Sequence, residues 1–483
     1  MILTDLLQDI TTLAVSGSTA IDIQGISFDS RTCAPGWLFV AVNGTEADGH
    51  RFIDSAIANG AVAVIYETGE WQRTGVTAVK VENSRLALGL AADNFYGHPS
   101  SKMEVVGITG TNGKSTTVTL LWQLFTSLGY CCGLFSTIAN YIGSRRLPSD
   151  HTTPDPVSVH RLMAEMAAAG CQYCFMEISS HSLAQDRIAG IRFKGGIFSN
   201  ITHDHLDYHK TFAEYLRCKK LFFDHMPQDA WVLTNLDDKH GEVMTQNTRA
   251  AIHTYACRRM ADFRAKIVEE TLDGMELEID GRRLWCNFIG AHNAYNLLAV
   301  YGTAILLGAD KEEVLVRMSA LRTVAGRLEY YRSQHRDLTA FVDYAHTPDG
   351  LENVLKTLRE TARDRQLVCV FGCGGDRDKT KRPEMGEIAG KYADRLVVTS
   401  DNPRTEDPLA IIEDIKAGLN HEAMRKSIFI ADRKEAIRTA LMTADEGAVI
   451  LIAGKGHEDY QIIGTTKIDY DERSYVAELM KEI

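Results

Sequence analysis

Residues 105–118 read VVGITGTNGKSTTV: an apolar run, closely spaced glycines, then Lys-Ser-Thr. A strand, a glycine turn and a helix start in that order make a cradle for anions. Backbone N–H groups of the turn converge on phosphate oxygens, and the helix N-terminus adds its partial positive charge. In such a loop Lys114 reaches the outer phosphates and the Ser115 hydroxyl ligates magnesium, with Gly110, Thr111, Asn112, Gly113 and Thr116 completing the cradle. The spacing departs from the common phosphate loop, because five residues, Gly110 among them, separate Gly107 from Gly113. A glycine turn without a ligand is the alternative.

The same motif fixes the fold class, since a buried strand feeding a helix belongs to a parallel α/β sheet. EVVGI, YCFMEI, GGIFSNI and WVLTN continue that alternation from residue 104 to about 326. A second series follows AGRLEYY: TAFVDYAH, LVCVFGCGGDRD, RLVVTSDNPR and AVILIAGKGHED, each strand ending in a loop rich in Asp, Arg, His or Gly. Residues 1–100 form a smaller α/β module, and GHPSSKM at 97–103 reads as a linker. At 483 residues the chain is too long for one core. Ligands of open α/β sheets bind beyond the carboxyl ends of the strands. Chemistry is therefore expected at the strand ends of both the middle and the last domain, in a cleft that closes over substrates.

Net charge is −12, which argues against a nucleic-acid surface. No apolar run approaches a membrane span, and MILTDLLQDI carries acids where a signal peptide carries bases. The ten cysteines are scattered without zinc spacing and read as reduced thiols of a cytoplasmic protein. CQYC at 171–174 leads into a strand, which argues against a redox role.

In FMEISSH, Glu177 stands at the end of a buried strand, where an acid needs a partner: a magnesium ion shared with Ser115, or the N-terminus of the next helix. NITHDHLDYHK reads either as a polar loop or, behind a strand in a phosphate-loop domain, as a second metal position, with His205 the best candidate. In TFAEYLRCKKLFFD, at 100° per residue, Lys219 falls in the middle of a stripe made by Phe212, Leu216 and Phe223 and flanked by Tyr215 and Phe222, with Lys220 at its edge. A lysine among apolar groups either snorkels to solvent or presents a neutral amine able to take up carbon dioxide as a carbamate. Near the C-terminus, Arg377, Lys381 and Arg382, then Asp401, Asn402 and Arg404, then Lys455, His457 and Glu458 close three strand ends. They read either as surface salt bridges or as partners for a zwitterionic amino acid.

Together GITGTNGKST, MEISSHSLAQDR, NITHDHLDYHKTFAEYLRCK, DYAHTPDGL, GCGGDRDKTKRPEMG, SDNPRTEDP and GKGHE resemble the Mur ligases, from about residue 28 to the C-terminus. The resemblance implies three domains: 1–100 binding a UDP-sugar, 101–327 a central ATPase, and 328–483 a Rossmann-like domain for the amino acid. It implies a peptidoglycan-precursor ligase using ATP and Mg2+, in which a UDP-N-acetylmuramoyl-L-alanyl-D-glutamate carboxylate becomes an acyl phosphate and then an amide. Phe28, Ser30, Thr45, Glu46 and Ala47 would contact the UDP group. His151, Thr152, Thr153, Ser179 or Ser180, Gln185 and Arg187 would hold the muramoyl-dipeptide. Asn293, Asn296, Arg327 and Asp343 match the family's contacts to the ATP base and ribose, and Lys219 matches its carbamylated lysine, an N6-carboxylysine that ligates metal with Ser115, Glu177 and His205. His292 and His151 depart from the family pattern.

The DNPR and GKGHE pair resembles the branch adding the third residue of the stem peptide. Arg377, Asp401, Asn402, Pro403, Arg404, Gly454 and Glu458 would bind that residue, and an arginine at 404 implies meso-diaminopimelate over L-lysine. The rivals are a lysine-adding ligase, a folylpolyglutamate synthetase and, from another class, a non-catalytic nucleotide-binding regulator. A monomer is expected.

Overall fold

The computed structural model describes residues 1–44, 47–149, 151–202 and 206–483. The chain forms two compact units, Met1–Arg264 with Asn296–Arg317, and Ala265–Tyr295 with Met318–Ile483.

The first unit begins with a five-stranded sheet in the order Thr12–Ser16, Thr77–Val81, Ala61–Tyr66, Trp37–Val40, Gly25–Ser27. The last four strands run parallel and Thr12–Ser16 antiparallel. Its core gathers Leu38, Val40, Ile65, Val79, Leu88 and Ala91. The helix Ser84–Phe95 starts where the Asn83 side chain accepts from Arg85 N and Leu86 N. Residues of the expected linker form a short 3-10 helix, Pro99–Lys102.

In the second sheet of this unit, Glu104–Thr109 lies between Tyr173–Glu177 and Gly195–Phe198, parallel to both. Cys132–Phe135 follows on one side, and Trp231–Asn235 and Ala251–Ala256 on the other. The four strands expected from sequence are present and parallel. Strand order reverses at Glu104–Thr109, so the loop after it opens at the switch point of the sheet. An antiparallel hairpin, Asn140–Ile142 with Arg145–Leu147, extends one edge.

The helix Phe212–Asp224, capped by Thr211, packs on this sheet through Tyr215, Phe222 and Phe223. Phe212 and Leu216 are only partly buried, so the packed face is rotated from the stripe drawn from sequence. Lys220, expected at the edge, is buried as well and pairs with Asp224.

The second unit carries an antiparallel meander that sequence reading assigned to the parallel series. From Ala265 on, the strand Phe263–Thr271 pairs with Gly274–Ile279, and that strand with Arg282–Cys286. The second turn explains the correction: Asp280 and Gly281 have φ of 50° and 75°, the two-residue Asp-Gly hairpin whose twist matches antiparallel strands.

The larger sheet runs Glu329–Arg332, Thr339–Asp343, Val449–Ala453, Leu367–Phe371, Arg395–Val398, Ser427–Phe429, all parallel except the first. Helices Pro348–Ala362 and Lys381–Tyr392 contribute to the core on one face, and Arg433–Thr443 and Glu472–Glu482 to that on the other. The four expected strands are these central ones. Among the described residues, no helix is long and apolar enough to cross a membrane.

Gly107 lets the helix Phe212–Asp224 approach the strand that carries the glycine loop. A Cβ there would stand 2.7 Å from Phe222 Cζ and 3.0 Å from Ile178 Cγ1 and Phe193 Cε1. Gly107→Ala is therefore expected to destabilise the first unit by about 1–3 kcal/mol through overpacking. A urea unfolding curve superimposable on that of the unaltered protein would show that the helix has room to shift.

Candidate active site

The glycine loop has the backbone its sequence demands. Gly110 has φ of 152°, and a Cβ on it would stand 2.0 Å from Ser199 Oγ; at Gly113, φ is 87° and the nearest atom would be Asn296 Oδ1 at 2.4 Å. Neither position has room for a side chain. Asn200 holds the loop: its Oδ1 accepts from Asn112 N at 3.0 Å, its Nδ2 donates to Asn112 O at 3.1 Å, and its carbonyl accepts from Thr111 N at 2.8 Å. The Ser199 hydroxyl donates to Asn112 O at 2.7 Å. Sequence reading did not single out either residue. The helix Lys114–Ser127 has no side-chain cap, and its first turn holds Lys114 with buried Ser115 and Thr116.

Glu177 ends the neighbouring strand and is 1% exposed. It does not cap the next helix, because Ser179 does so by accepting from Ser182 N at 3.0 Å. Its Oε1 instead accepts from Thr137 N at 2.7 Å, and Thr137 Oγ1 lies 3.3 Å from Oε2.

Lys219 is also 1% exposed, so it does not snorkel. Its Nζ donates to Gly110 O at 2.8 Å and stands 4.8 Å from the centre of the Tyr215 ring. Lys114 Nζ donates to the same carbonyl at 2.9 Å, and to Thr111 O at 2.8 Å. Two amines sharing one oxygen lie within ~6 Å of each other, close enough for like charges to disfavour one another. His205 lies outside the described residues, and among those described no three His, Cys, Asp or Glu side chains gather as a metal site.

A cavity of about 1330 Å³ in the first unit is lined by Phe28, Ser30, Ala47, His151, Gln185 and Arg187. Thr45 and Glu46 lie outside the described residues. Thr152, Thr153, Ser179 and Ser180 do not line the cavity, but Thr153 and Thr152 link its wall to Glu177 and Thr137. Arg187 donates to Thr153 O at 2.9 Å, the Thr153 hydroxyl donates to Glu177 O at 2.8 Å, and Thr152 Oγ1 lies 3.0 Å from Thr137 Oγ1. The Ser180 hydroxyl is buried without a hydrogen-bond partner among the described residues, whereas that of Ser179 is engaged as the cap. Arg85, Arg145 and Arg161, which sequence reading missed, add cationic side chains to the cavity wall. Their only signal was charge, which surface arginines share.

Asn296, in the first unit, stands by Gly113, with its Oδ1 3.4 Å from the Thr117 hydroxyl. In the second unit, Asn293 lines a small cavity with Ile289, Leu328 and Phe341 and donates to Ile289 O at 2.8 Å. Asp343 accepts from Leu328 N and Ala345 N, both at 2.8 Å. Burial pushes its carboxyl above the usual range, against the Arg327 charge and those two N–H groups. The Arg327 guanidinium stacks 4.9 Å from the centre of the Tyr344 ring.

The charged loops of the second unit converge. Asn402 donates to Glu458 Oε2 at 2.9 Å, and its Oδ1 accepts from Lys455 Nζ at 3.1 Å and Ile462 N at 3.0 Å. Fully buried Lys455 also reaches Glu458 Oε2, at 2.9 Å. Asp401 is buried and its Oδ2 has no hydrogen-bond partner among the described residues; a Cβ on Gly454 would stand 2.6 Å from it. These groups are not surface salt bridges.

Arg404, after Pro403, has φ of 51°, a left-handed backbone unusual for a bulky residue and worth a functional reading. Its Nη1 donates to Gly375 O at 2.8 Å, and among the described residues it makes no ion pair. Glu406 is taken by Arg382 and Lys379, while Asp407 caps the helix Pro408–Lys416. The Arg377 side chain is exposed and borders Gly374, as Arg404 Nη1 does.

Three family models match the chain: the Mur ligase family catalytic domain over residues 22–96, the Mur ligase middle domain over 108–304, and the Mur ligase glutamate ligase domain over 326–456. A protein of Cytophaga hutchinsonii named UDP-N-acetylmuramoyl-L-alanyl-D-glutamate–2,6-diaminopimelate ligase is 50% identical over 99% of this chain and 98% of its own. One of the same name from Bacteroides thetaiotaomicron is 50% identical over 100% of both. A solved structure of a ligase with that name is 30% identical, superposes with a TM-score of 0.71, and covers 99% of this chain and 98% of its own. Shared sequence along the whole length and a shared fold leave one conclusion: this chain belongs to the Mur ligase family.

Proposed function

We propose that the chain is an ATP-dependent ligase joining meso-2,6-diaminopimelate to UDP-N-acetylmuramoyl-L-alanyl-D-glutamate, in three domains, 1–100, 101–327 and 328–483. The observation that carries the amino-acid choice is Arg404, a guanidinium with no ion pair among the described residues, beside a loop rich in acceptors. Diaminopimelate differs from L-lysine by a second carboxylate at its far end, which a guanidinium fork grips with two parallel bonds. Asp401, Asn402 and Glu458 suit the ammonium groups, while Arg377 and Gly454 flank them. L-Lysine would leave Arg404 unpaired. The relatives' shared name supports the same choice. The reading carries with it a cytoplasmic monomer.

In the first unit, Phe28, Ser30, Ala47 and the arginines of the cavity bind the UDP-sugar, with Thr45 and Glu46 expected beside them. The chain His151, Thr152, Thr153, Ser179 or Ser180, Gln185 and Arg187 directs the dipeptide carboxylate toward Glu177. The loop Gly110–Thr116 cradles the ATP phosphates, and Lys114 uncurls from Gly110 O to meet the outer ones. Asn293, Asn296, Arg327 and Asp343 hold the base and ribose. The substrate carboxylate then attacks the γ-phosphate, ADP leaves, and the incoming amine displaces phosphate from the acyl phosphate to form the amide. Such phosphoryl transfer relies on positioning and electrostatics.

Glu177 and Ser115 fit magnesium: a buried carboxylate whose donors come from Thr137, and a buried hydroxyl, both hard oxygen ligands. Magnesium bound there would neutralise charge on the phosphates. His205 and Lys219 complete the proposed set, the latter after its amine adds carbon dioxide and releases a proton to become a carbamate. Converting Lys219 to an anion also relieves the crowding of two amines on Gly110 O.

Lys114→Ala is expected to abolish phosphate release while the protein stays folded, because the cation for the outer phosphates is lost and the bonds to Gly110 O and Thr111 O are local to the loop. Turnover close to normal in the folded variant would end the ATPase reading.

Lys219→Ala is expected to be nearly inactive, with bicarbonate unable to restore it and acetate restoring part by occupying the vacated space. The intact mass of the unaltered protein, measured without acid, should carry one added carbon dioxide. Lys220→Ala, which removes a pair with Asp224, should mainly lower stability. Equal loss of turnover in two equally stable variants would count against a special role for Lys219.

Arg404→Ala is expected to weaken use of diaminopimelate at least ~10-fold, each charge-assisted bond contributing roughly 1.5–3 kcal/mol, with ATP and UDP-dipeptide affinities nearly unchanged. Product mass from a panel of amino acids tests the assignment directly, and equal use of L-lysine by the unaltered protein would overturn it.

A further inference from the structure

Two residues beyond Arg404 lies Glu406, and the structure shows what occupies it. Arg382 is fully buried, and its Nη1 and Nη2 donate to Glu406 Oε2 and Oε1 at 3.1 and 2.8 Å, a two-pronged grip. The same guanidinium meets Asp414 Oδ2 at 2.8 Å and Gly374 O at 3.2 Å. Lys379 Nζ stands 2.9 Å from Glu406 Oε2, and Asp376 N donates to Oε1 at 2.6 Å. The Arg382 fork, then Lys379 and the Asp376 N–H, hold the Glu406 carboxyl well below the usual range, so it is ionised at neutral pH.

Arg404 flanks the same turn, with its Nη1 on Gly375 O, and a Cβ on Gly375 would stand 3.3 Å from Glu406 Cβ. A carboxylate tethered so near competes with any free ligand for the guanidinium, because its effective concentration is high. Among the described residues, Arg404 and Glu406 nonetheless make no ion pair. The carboxylate is fully engaged elsewhere.

We propose that Arg382 is a positioning residue for amino-acid specificity: its grip on Glu406 keeps that carboxylate off Arg404 and leaves the Arg404 guanidinium for the far carboxylate of the incoming amino acid. The inference rests on the ligase reading above and adds to it a residue that does not touch the substrate. It also gives the charge-rich run DRDKTKRP a role in the discrimination itself. A cation buried behind the loop decides which cation in front of it stays available.

The test compares the unaltered protein with Arg382→Met, Glu406→Gln and the double variant, by KM for diaminopimelate at saturating ATP and UDP-dipeptide, with thermal melts alongside. Failure of the unaltered protein to form product with any amino acid overturns the ligase reading and this inference with it. Given that activity, Arg382→Met should raise KM for diaminopimelate about tenfold or more, as Glu406 turns to Arg404. KM for ATP and UDP-dipeptide should stay within about twofold, being set by groups with no part in this pair. Glu406→Gln keeps an acceptor for Asp376 N and removes the competing charge. Added to Arg382→Met, it should return KM to within about threefold of normal by coupling between the two sites, even where the melting temperature stays low. A merely structural Arg382 gives the opposite result, a double variant at least as impaired as Arg382→Met, and that outcome overturns the proposal. So does an unchanged KM in Arg382→Met. If Arg382→Met does not fold, Arg382→Lys, which keeps the charge but cannot span both oxygens, enters the same comparison with and without Glu406→Gln.

Discussion

Glu104–Thr109 is hydrogen-bonded along both edges by parallel neighbours, and the glycine loop and the strand end bearing Glu177 take their positions from that strand. Parallel pairing puts the ends of three strands side by side, so the glycine loop, Glu177 and the Ser199–Asn200 step emerge together. The pairing carries past the strands' ends, with Ile178 N donating to Ile108 O at 2.8 Å and Thr109 Oγ1 to Ile178 O at 2.9 Å. A loop held this way keeps its backbone fixed, with Thr111 N and Asn112 N both bonded to Asn200. The absence of a side chain at Gly107 lets the helix Phe212–Asp224 come close enough for Lys219 to reach Gly110 O.

Much of this was legible because it is local. Strand, loop and helix start follow one another within fourteen residues, and eight central strands announced themselves as apolar runs ending in polar loops. The meander at 265–286 was not read, because amphipathic edge strands lack that signature and only the Asp280-Gly281 turn marked them. The face of the helix Phe212–Asp224 was placed by angle alone, and the packing surface turned it so that Lys220 is buried beside Lys219.

The site's supporting contacts were less legible, being made across the chain. Thr137 reaches Glu177 from forty residues away, and Asn200 reaches Asn112 from eighty-eight. No periodicity announces such pairs. Arg382, read beside Arg377 as one more charge in a loop, proved to be fully buried while Arg377 stayed exposed. Sequence shows that a run is charged, but only packing decides which of its charges must find partners inside.

The second unit meets the same demand at its strand ends with a buried ion pair. Arg433 Nε donates to Glu472 Oε2 at 2.7 Å, and both residues are buried. The remaining donors of Arg433 go to Ser400 O at 3.3 Å and Ala453 O at 3.0 Å. Those carbonyls begin the loops that carry Asp401 and Gly454, so one guanidinium ties the two loops together. Burying such a pair rarely adds stability beyond what apolar residues would give. What it does here is geometric, because the fork has fixed angles and the carbonyls it holds cannot drift apart without leaving buried N–H donors unsatisfied. Asp401 Oδ2, without a hydrogen-bond partner among the described residues, is thus kept close to the Arg433 cation. Rigid placement of charge, more than its amount, is what would let such a loop cluster discriminate between amino acids, as proposed above.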